Sequence, residues 1–306
     1  MKLQVLFAFA MFLPLIASAQ ESAAFLKLGV GARAMGMGGA YTAVADDVNS
    51  IYWNPAGLST LTKQEVSATH ADLFANTRYD TLAYAQHTQY GTFGTAASYL
   101  SQAAIPGRDE SGAPTGSYGA ADAAINLSYA AQVFSIYGLG FGGNVKYIRS
   151  TIADASAQSA AFDLGARYEP YGVTGPGDPI FGLVVQNVGP GMKFLDKSSP
   201  LPLTVAGGVA YRWPHGLLLA LDYKYRPYDH PGEASVGMEY LLLSTFAVRA
   251  GYDSDTATSD GETGFAALSG FSVGFGIKLR SYNIDYSMAP MGELGNVQRF
   301  SLAARY

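Results

Sequence analysis

From Glu65 onward the chain repeats with a period of two. In Phe162, Leu164, Ala166 and Tyr168 one parity is apolar, while Asp163, Gly165 and Arg167 form the other. The alternation returns at Leu219, Leu221, Tyr223 and Tyr225 against Ala220, Asp222, Lys224 and Arg226, and at Phe271, Val273, Phe275 and Ile277 against Ser272, Gly274, Gly276 and Lys278. Successive side chains on a strand point to opposite faces, so each strand has one greasy face and one that is charged or small. Cut at its turn signals, the sequence yields about fourteen such segments. They fall near residues 65–72, 80–87, 91–101, 121–132, 137–149, 159–169, 180–187, 202–213, 217–226, 234–241, 245–252, 270–280, 282–288 and 298–306.

The connectors carry a second rhythm. Those after the even-numbered segments are compact, as at Thr88 to Tyr90 and Pro214 to Gly216. Those after the odd-numbered segments are longer and polar, notably Gln102 to Ala120, Val188 to Leu201 and Ser254 to Ser269. A barrel threaded through a membrane has short turns at one rim and long loops at the other, and a soluble sandwich has no reason to keep both rhythms. The expected fold is all-β: a transmembrane antiparallel β-barrel of about fourteen strands with an N-terminal hatch. Aromatics at the ends of the apolar parity, such as Tyr99, Tyr129, Tyr168, Tyr240 and Tyr252, read as girdles at the two lipid headgroup levels.

Composition agrees with lipid contact. Hydrophobic residues make up 49% and charged residues only 14%, with 21 Tyr and 16 Phe. After the leader, no apolar run approaches the ~18 residues of a spanning helix, so any crossing is made by strands, and these must close on themselves to pair every backbone group. Cysteine is absent, which removes disulfides and thiolate chemistry. The net charge is −5, without any block of Lys and Arg, so nucleic acid is not an expected partner.

Three regions are expected. Residues 1–19 read as a signal peptide, from Lys2 through the apolar run Leu3 to Ile16 to Ala17-Ser18-Ala19, with cleavage before Gln20. Residues 20–62 read as the hatch and 63–306 as the barrel. Ala23 to Thr62 lacks the two-residue period and is too long for a linker and too apolar for a disordered tail. It is expected to plug the barrel mouth, with Asp46 or Asp47 capping a short helix and Pro55 forcing extended backbone at Asn54. Gly and Ala on the inner parity, such as Gly140, Gly142, Ala206, Gly208, Gly274 and Gly276, leave lumenal space for such a segment. The glycines from Gly29 to Gly39 miss the dinucleotide spacing and follow no strand, so close packing of hatch against wall is the preferred reading.

Recognisable catalytic chemistry is missing. His70, His87, His215 and His230 are scattered, no Gly-x-Ser-x-Gly elbow or Walker loop occurs, and Asp253, Asp255, Asp260 and Glu262 miss the spacing of a calcium loop. The expectation is a non-enzyme without cofactor, metal or catalytic residue. Inward Asp163, Arg167, Asp222, Lys224, Glu239, Arg249, Lys278, Asp285 and Arg305 are expected to form an ion-pair network that holds the hatch.

The stretch Gly31-Ala32-Arg33-Ala34-Met35-Gly36, then Ala43-Val44-Ala45-Asp46-Asp47, then Tyr52-Trp53-Asn54-Pro55-Ala56-Gly57-Leu58, resembles the amino-terminal signature of PorV/PorQ-type outer-membrane proteins, within the FadL-like, UPF0164-like barrel superfamily. The far end is similar too, at Val248-Arg249-Ala250-Gly251-Tyr252, Ile284-Asp285-Tyr286-Ser287-Met288-Ala289-Pro290 and Arg299-Phe300-Ser301-Leu302, and the terminal Tyr306 looks like the mark read by the barrel-assembly machinery. The resemblance implies a hatch in which Asn54, Pro55 and Ala56 lie near a binding pocket, and with Trp53 and Gly57 these form the candidate ligand site. It implies residence in the outer membrane of a Gram-negative bacterium. The leading functional expectation is protein export or surface attachment of type IX kind, with secreted cargo or secretion components as partners. The alternative is a FadL-like transporter of small hydrophobic molecules, and a third reading is a structural porin-like protein.

Overall fold

The computed structural model describes residues 21–229, 232–257, 268–292 and 295–306. The expected signal peptide 1–19, Gln20, His230, Asp260 and Glu262 lie outside the described residues. Fourteen strands close into one antiparallel barrel. They are β1 (Glu65–Asp72), β2 (Thr77–Thr88), β3 (Gly91–Gln102), β6 (Ala120–Gln132), β7 (Leu139–Ile152), β8 (Ala155–Tyr168), β9 (Asp178–Val188), β12 (Thr204–Arg212), β13 (Leu217–Tyr225), β14 (Glu233–Leu242), β15 (Phe246–Asp253), β16 (Phe271–Leu279), β17 (Tyr282–Pro290) and β18 (Asn296–Arg305). The remaining four strands form two hairpins in the long loops, β4 (Ile105–Arg108) with β5 (Pro114–Tyr118), and β10 (Met192–Phe194) with β11 (Lys197–Ser199). The seam joins first strand to last, from Glu65 opposite Arg305 to Asp72 opposite Gln298.

The barrel is inside out relative to a soluble domain. Leu127, Leu164 and Phe275 are 63%, 71% and 56% exposed on the outer face, whereas inward Asp163, Asp222 and Arg249 are 1%, 0% and 4% exposed. Water would penalise such an exterior, and lipid does not. Exposed aromatics gather near both rims, with Tyr99 and Tyr252 at the loop rim and Tyr129, Tyr168 and Tyr240 at the turn rim. The loop rim is less uniform than its sequence suggests. β7 and β8 run on to Ile152 and from Ala155, so a tight turn through Ala153, with φ 50°, replaces the expected longer loop. Outward Arg149 and Gln158 mark strand ends that stand in the polar zone, and their polarity is why the sequence there reads as loop.

The core lies inside the barrel, between wall and hatch. Met37, Tyr41, Val44, Ile51 and Leu58 are each fully buried. The hatch carries two short helices, α1 (Ala32–Gly36) and α2 (Ser50–Trp53), and 3₁₀ turns over Ala24–Lys27 and Pro55–Thr60. Gly38 and Gly39, at φ 65° and 72°, turn the chain sharply after α1, a geometry that favours residues without Cβ. The inner-face glycines mark where the hatch presses on the wall. A Cβ on Gly165 would sit 2.1 Å from Asn54 Oδ1, one on Gly142 2.4 Å from the Pro55 carbonyl oxygen, and one on Gly251 2.1 Å from the Gly38 nitrogen.

Gly251→Val therefore drives a side chain into hatch backbone that cannot swing away, and overpacking of this kind costs about 1–3 kcal/mol. Its midpoint of thermal unfolding in detergent should fall, while Gly207→Ala, which meets nothing closer than 4.0 Å, should match the parent protein. Deleting Ala23 to Leu61 should turn a closed wall into a conducting one in planar bilayers, and a deletion variant that folds yet stays closed would refute the plug.

Candidate functional site

The hatch runs the length of the lumen. At the loop rim the Ser22 N–H donates to the Pro200 carbonyl at 2.9 Å, and at the turn rim the Gln132 side-chain amide donates to the Ser59 carbonyl at 3.2 Å. Irregular backbone at membrane depth needs partners that lipid cannot give. The wall's inward polar side chains supply them. Asp222 Oδ2 accepts the Tyr41 and Thr42 N–H groups at 2.8 and 2.7 Å, Ser272 and Ser301 accept those of Gly38 and Ala32, and Asn144, Arg167 and Gln186 donate to the carbonyls of Ile51, Ala43 and Tyr52.

Toward the turn rim one side chain ties the hatch to the wall. Arg33, on α1, pairs with Asp46 at 2.5 Å, takes both Glu239 oxygens of β14 at 2.8 and 2.9 Å, and donates to the Tyr41 hydroxyl at 2.8 Å. Glu239 also accepts from Arg249 of β15, which pairs on its other side with Asp285 of β17, each at 2.7 Å. Arg212 reaches Asp46 at 3.4 Å and Glu169 at 2.8 Å. Burial alone would raise the Asp46 carboxyl, but Arg33 and Arg212 hold it below the ordinary carboxylate range. Asp47 lies above that range, because burial and the adjacent Asp46 charge outweigh Arg33. Of the two expected caps, Asp47 accepts the Asn49 N–H at 2.9 Å just ahead of α2, while Asp46 serves the ion pairs. A small cavity of about 90 Å³ lies within this network, beside Arg33, Glu65, Lys278 and Arg305.

On the opposite, loop-rim side of the hatch is a cavity of about 290 Å³. Leu26, Leu28, Val30, Met35, Tyr52 and Trp53 give it an apolar hatch face. The barrel face is polar, with Tyr79, Asn126, Lys146, Lys224, Arg226 and Arg299. Hatch backbone and the Arg33 ion pairs separate the two cavities.

The candidate residues split across this architecture. Trp53 lines the loop-side cavity, its indole N–H donates to the Val30 carbonyl at 2.9 Å, and Lys224 Nζ stands 5.6 Å from its ring centre. Asn54, Pro55, Ala56 and Gly57 are buried away from that cavity. Asn54 Oδ1 accepts the Ala56 N–H at 3.2 Å to start the 3₁₀ turn, and its Nδ2 donates to Thr42 at 2.9 Å and to Ala166 of β8 at 3.1 Å. Two residues not singled out from the sequence carry comparable weight, Arg33 and Arg299. Arg33 had a signal, because Lys27 and Arg33 are the hatch's two cations and Arg33 sits among apolar and small residues.

Breaking a buried ion pair strands the partner charge and costs about 3–5 kcal/mol, so Arg33→Met should cost roughly 3 kcal/mol, measured by denaturant unfolding in detergent. Asp46→Asn in that background should add little, because the two act as a unit. The Asp46 carboxyl titrates lower in the folded chain than its ~3.9 in an unfolded one, so its contribution is complete above about pH 4 and is lost as the pH falls through the folded value. Protease protection of the hatch should hold at pH 7 and 5 and weaken only once the pH falls below the ordinary carboxylate range.

Comparison with solved structures identifies the architecture. The toluene transporter TodX of Pseudomonas putida superposes with a TM-score of 0.58 at 15% identity, over 90% of this chain and 96% of that one. A FadL homologue of Pseudomonas aeruginosa gives 0.54 at 12% identity, over 90% and 98%. The present fold, a closed antiparallel barrel, is of their kind. No curated protein matches the sequence. The model of an uncharacterised protein family, UPF0164, matches residues 17–175, just over half of the 306 residues, and the chain belongs to that family.

Proposed function

We propose that this chain is an outer-membrane channel that admits a small apolar molecule to its loop-side cavity and passes it on when the hatch moves. The observation that carries this reading is the cavity itself, walled on the hatch by Leu26, Leu28, Val30, Met35 and Trp53 and closed below by the hatch. An apolar cavity of ~150 Å³ holds benzene, so about 290 Å³ has room for one substituted ring or a short chain. Trp53 forms the floor that a ligand meets, and Asn54 to Gly57 fix the backbone behind it by the bonds of Asn54 to Thr42 and Ala166. The TodX barrel, a toluene transporter, supports the reading by its shared architecture. Export in the PorV/PorQ manner, with cargo tails or secretion components as partners, rests on the likeness of the two chain ends alone.

Expressed in the outer membrane of a Gram-negative host, the protein should raise uptake of a labelled alkylbenzene several-fold over an empty vector. Val30→Trp, which fills the cavity, should return uptake to the vector level. Uptake that never rises, or that ignores the filled cavity, would remove the channel reading, and specific co-purification of a protein bearing a type IX tail would then favour export.

A further inference from the structure

Five cations surround the loop-side cavity: Lys27, Lys146, Lys224, Arg226 and Arg299. Four are neutralised. Lys27 pairs with Glu21 at 2.9 Å and Asp229 at 2.6 Å, Lys146 with Asp163 at 2.9 Å, and Lys224 and Arg226 share Glu233. Arg299, on β18, has no carboxylate within ion-pair distance among the described residues, and its Nε has no hydrogen-bond partner. It is only 3% exposed. Its register neighbours are Ser287 of β17 and Ala71 of β1, which in turn stands opposite Tyr79 of β2, so the adjacent strands bring a hydroxyl and a phenol. The carboxylates that line the cavity, Glu233, Asp253 and Asp255, lie with Lys224 and Arg226. Asn126, 2% exposed on the same wall, also has an unpartnered side-chain oxygen.

A buried guanidinium with no paired carboxylate among the described residues is unfavourable in a lumen bounded by lipid, and the cavity beside it is the place from which a counter-charge can arrive. The opposite side of that cavity is the apolar face of the hatch. We infer that the cavity takes a compact organic monoanion, an aromatic or short-chain carboxylate whose apolar body lies on Leu28, Val30, Met35 and Trp53 and whose carboxylate is received by Arg299. On the scale set by benzene in ~150 Å³, the space suits roughly twelve non-hydrogen atoms. The planar fork of Arg299 matches a carboxylate in two parallel hydrogen bonds, which a neutral amide of the same shape cannot reproduce. This assignment rests on the channel reading and narrows it from apolar solutes in general to anionic ones.

Calorimetric titration of the full-length barrel in a non-ionic maltoside detergent at pH 7.5 tests it, with 4-ethylbenzoate and its neutral counterpart 4-ethylbenzamide as probes. The parent protein should bind the acid at least tenfold more tightly than the amide. Arg299→Gln should erase that preference, and Arg299→Lys should retain part of it. Equal affinity of the parent for both probes overturns the role of Arg299 and leaves the channel reading standing. Binding of neither probe overturns both. The acid-to-amide comparison on the parent decides the matter even where Arg299→Gln fails to fold.

Discussion

A backbone amide at membrane depth must find its partner within the protein, and the whole architecture follows from how this chain meets that demand. The wall meets it by closing, with β1 laid against β18 so that no edge is left. The hatch has too little regular structure to do the same. Its bonds come from Asp222, Ser272, Ser301, Asn144, Arg167 and Gln186, polar side chains that lipid would exclude from the outer face and that the lumen accommodates. Wall and hatch are therefore one hydrogen-bonded unit.

That dependence sets the distribution of residue sizes. Where hatch backbone touches the wall, the wall has glycine, at Gly142, Gly165 and Gly251 among others. Where the wall carries charge, the hatch offers backbone N–H groups to Asp222, a carbonyl to Arg167, the Asp46 carboxylate to Arg212, and the guanidinium of Arg33, which reaches Asp46 and Glu239 together. The lumen is thus packed tightly through the middle and toward the turn rim. The space with an apolar hatch face lies on the loop side, around Trp53.

Much of this was legible in the sequence, for a definite reason. A strand between lipid and lumen has two unlike faces, so period-two alternation marks it, and the fourteen strands fall close to the spans read from that alternation. The hairpin β4–β5 escaped notice because Pro114–Tyr118 is exposed at every residue, and β10–β11 because its strands are only three residues each, too short to show the period although Met192 is fully buried. The hatch was visible by its loss of the period. Its partners were not, because Arg33 meets Glu239 across 206 positions of sequence, and no local pattern encodes such a meeting. Arg299 shares the inward parity of Ser301 and Val297, so its direction was readable. That no carboxylate among the described residues reaches it was not, since that depends on where each carboxylate ends up.

The seam has a consequence for assembly. The hatch precedes β1 in the chain, and β1 is bonded on one side to β18, the last strand of the barrel, through pairs such as Glu65 with Arg305. Contacts this remote in sequence form late, because the loss of chain freedom comes before the reward. The plug must therefore enter an unfinished cylinder, and the final residues shut it in like the last stave fitted to a cask.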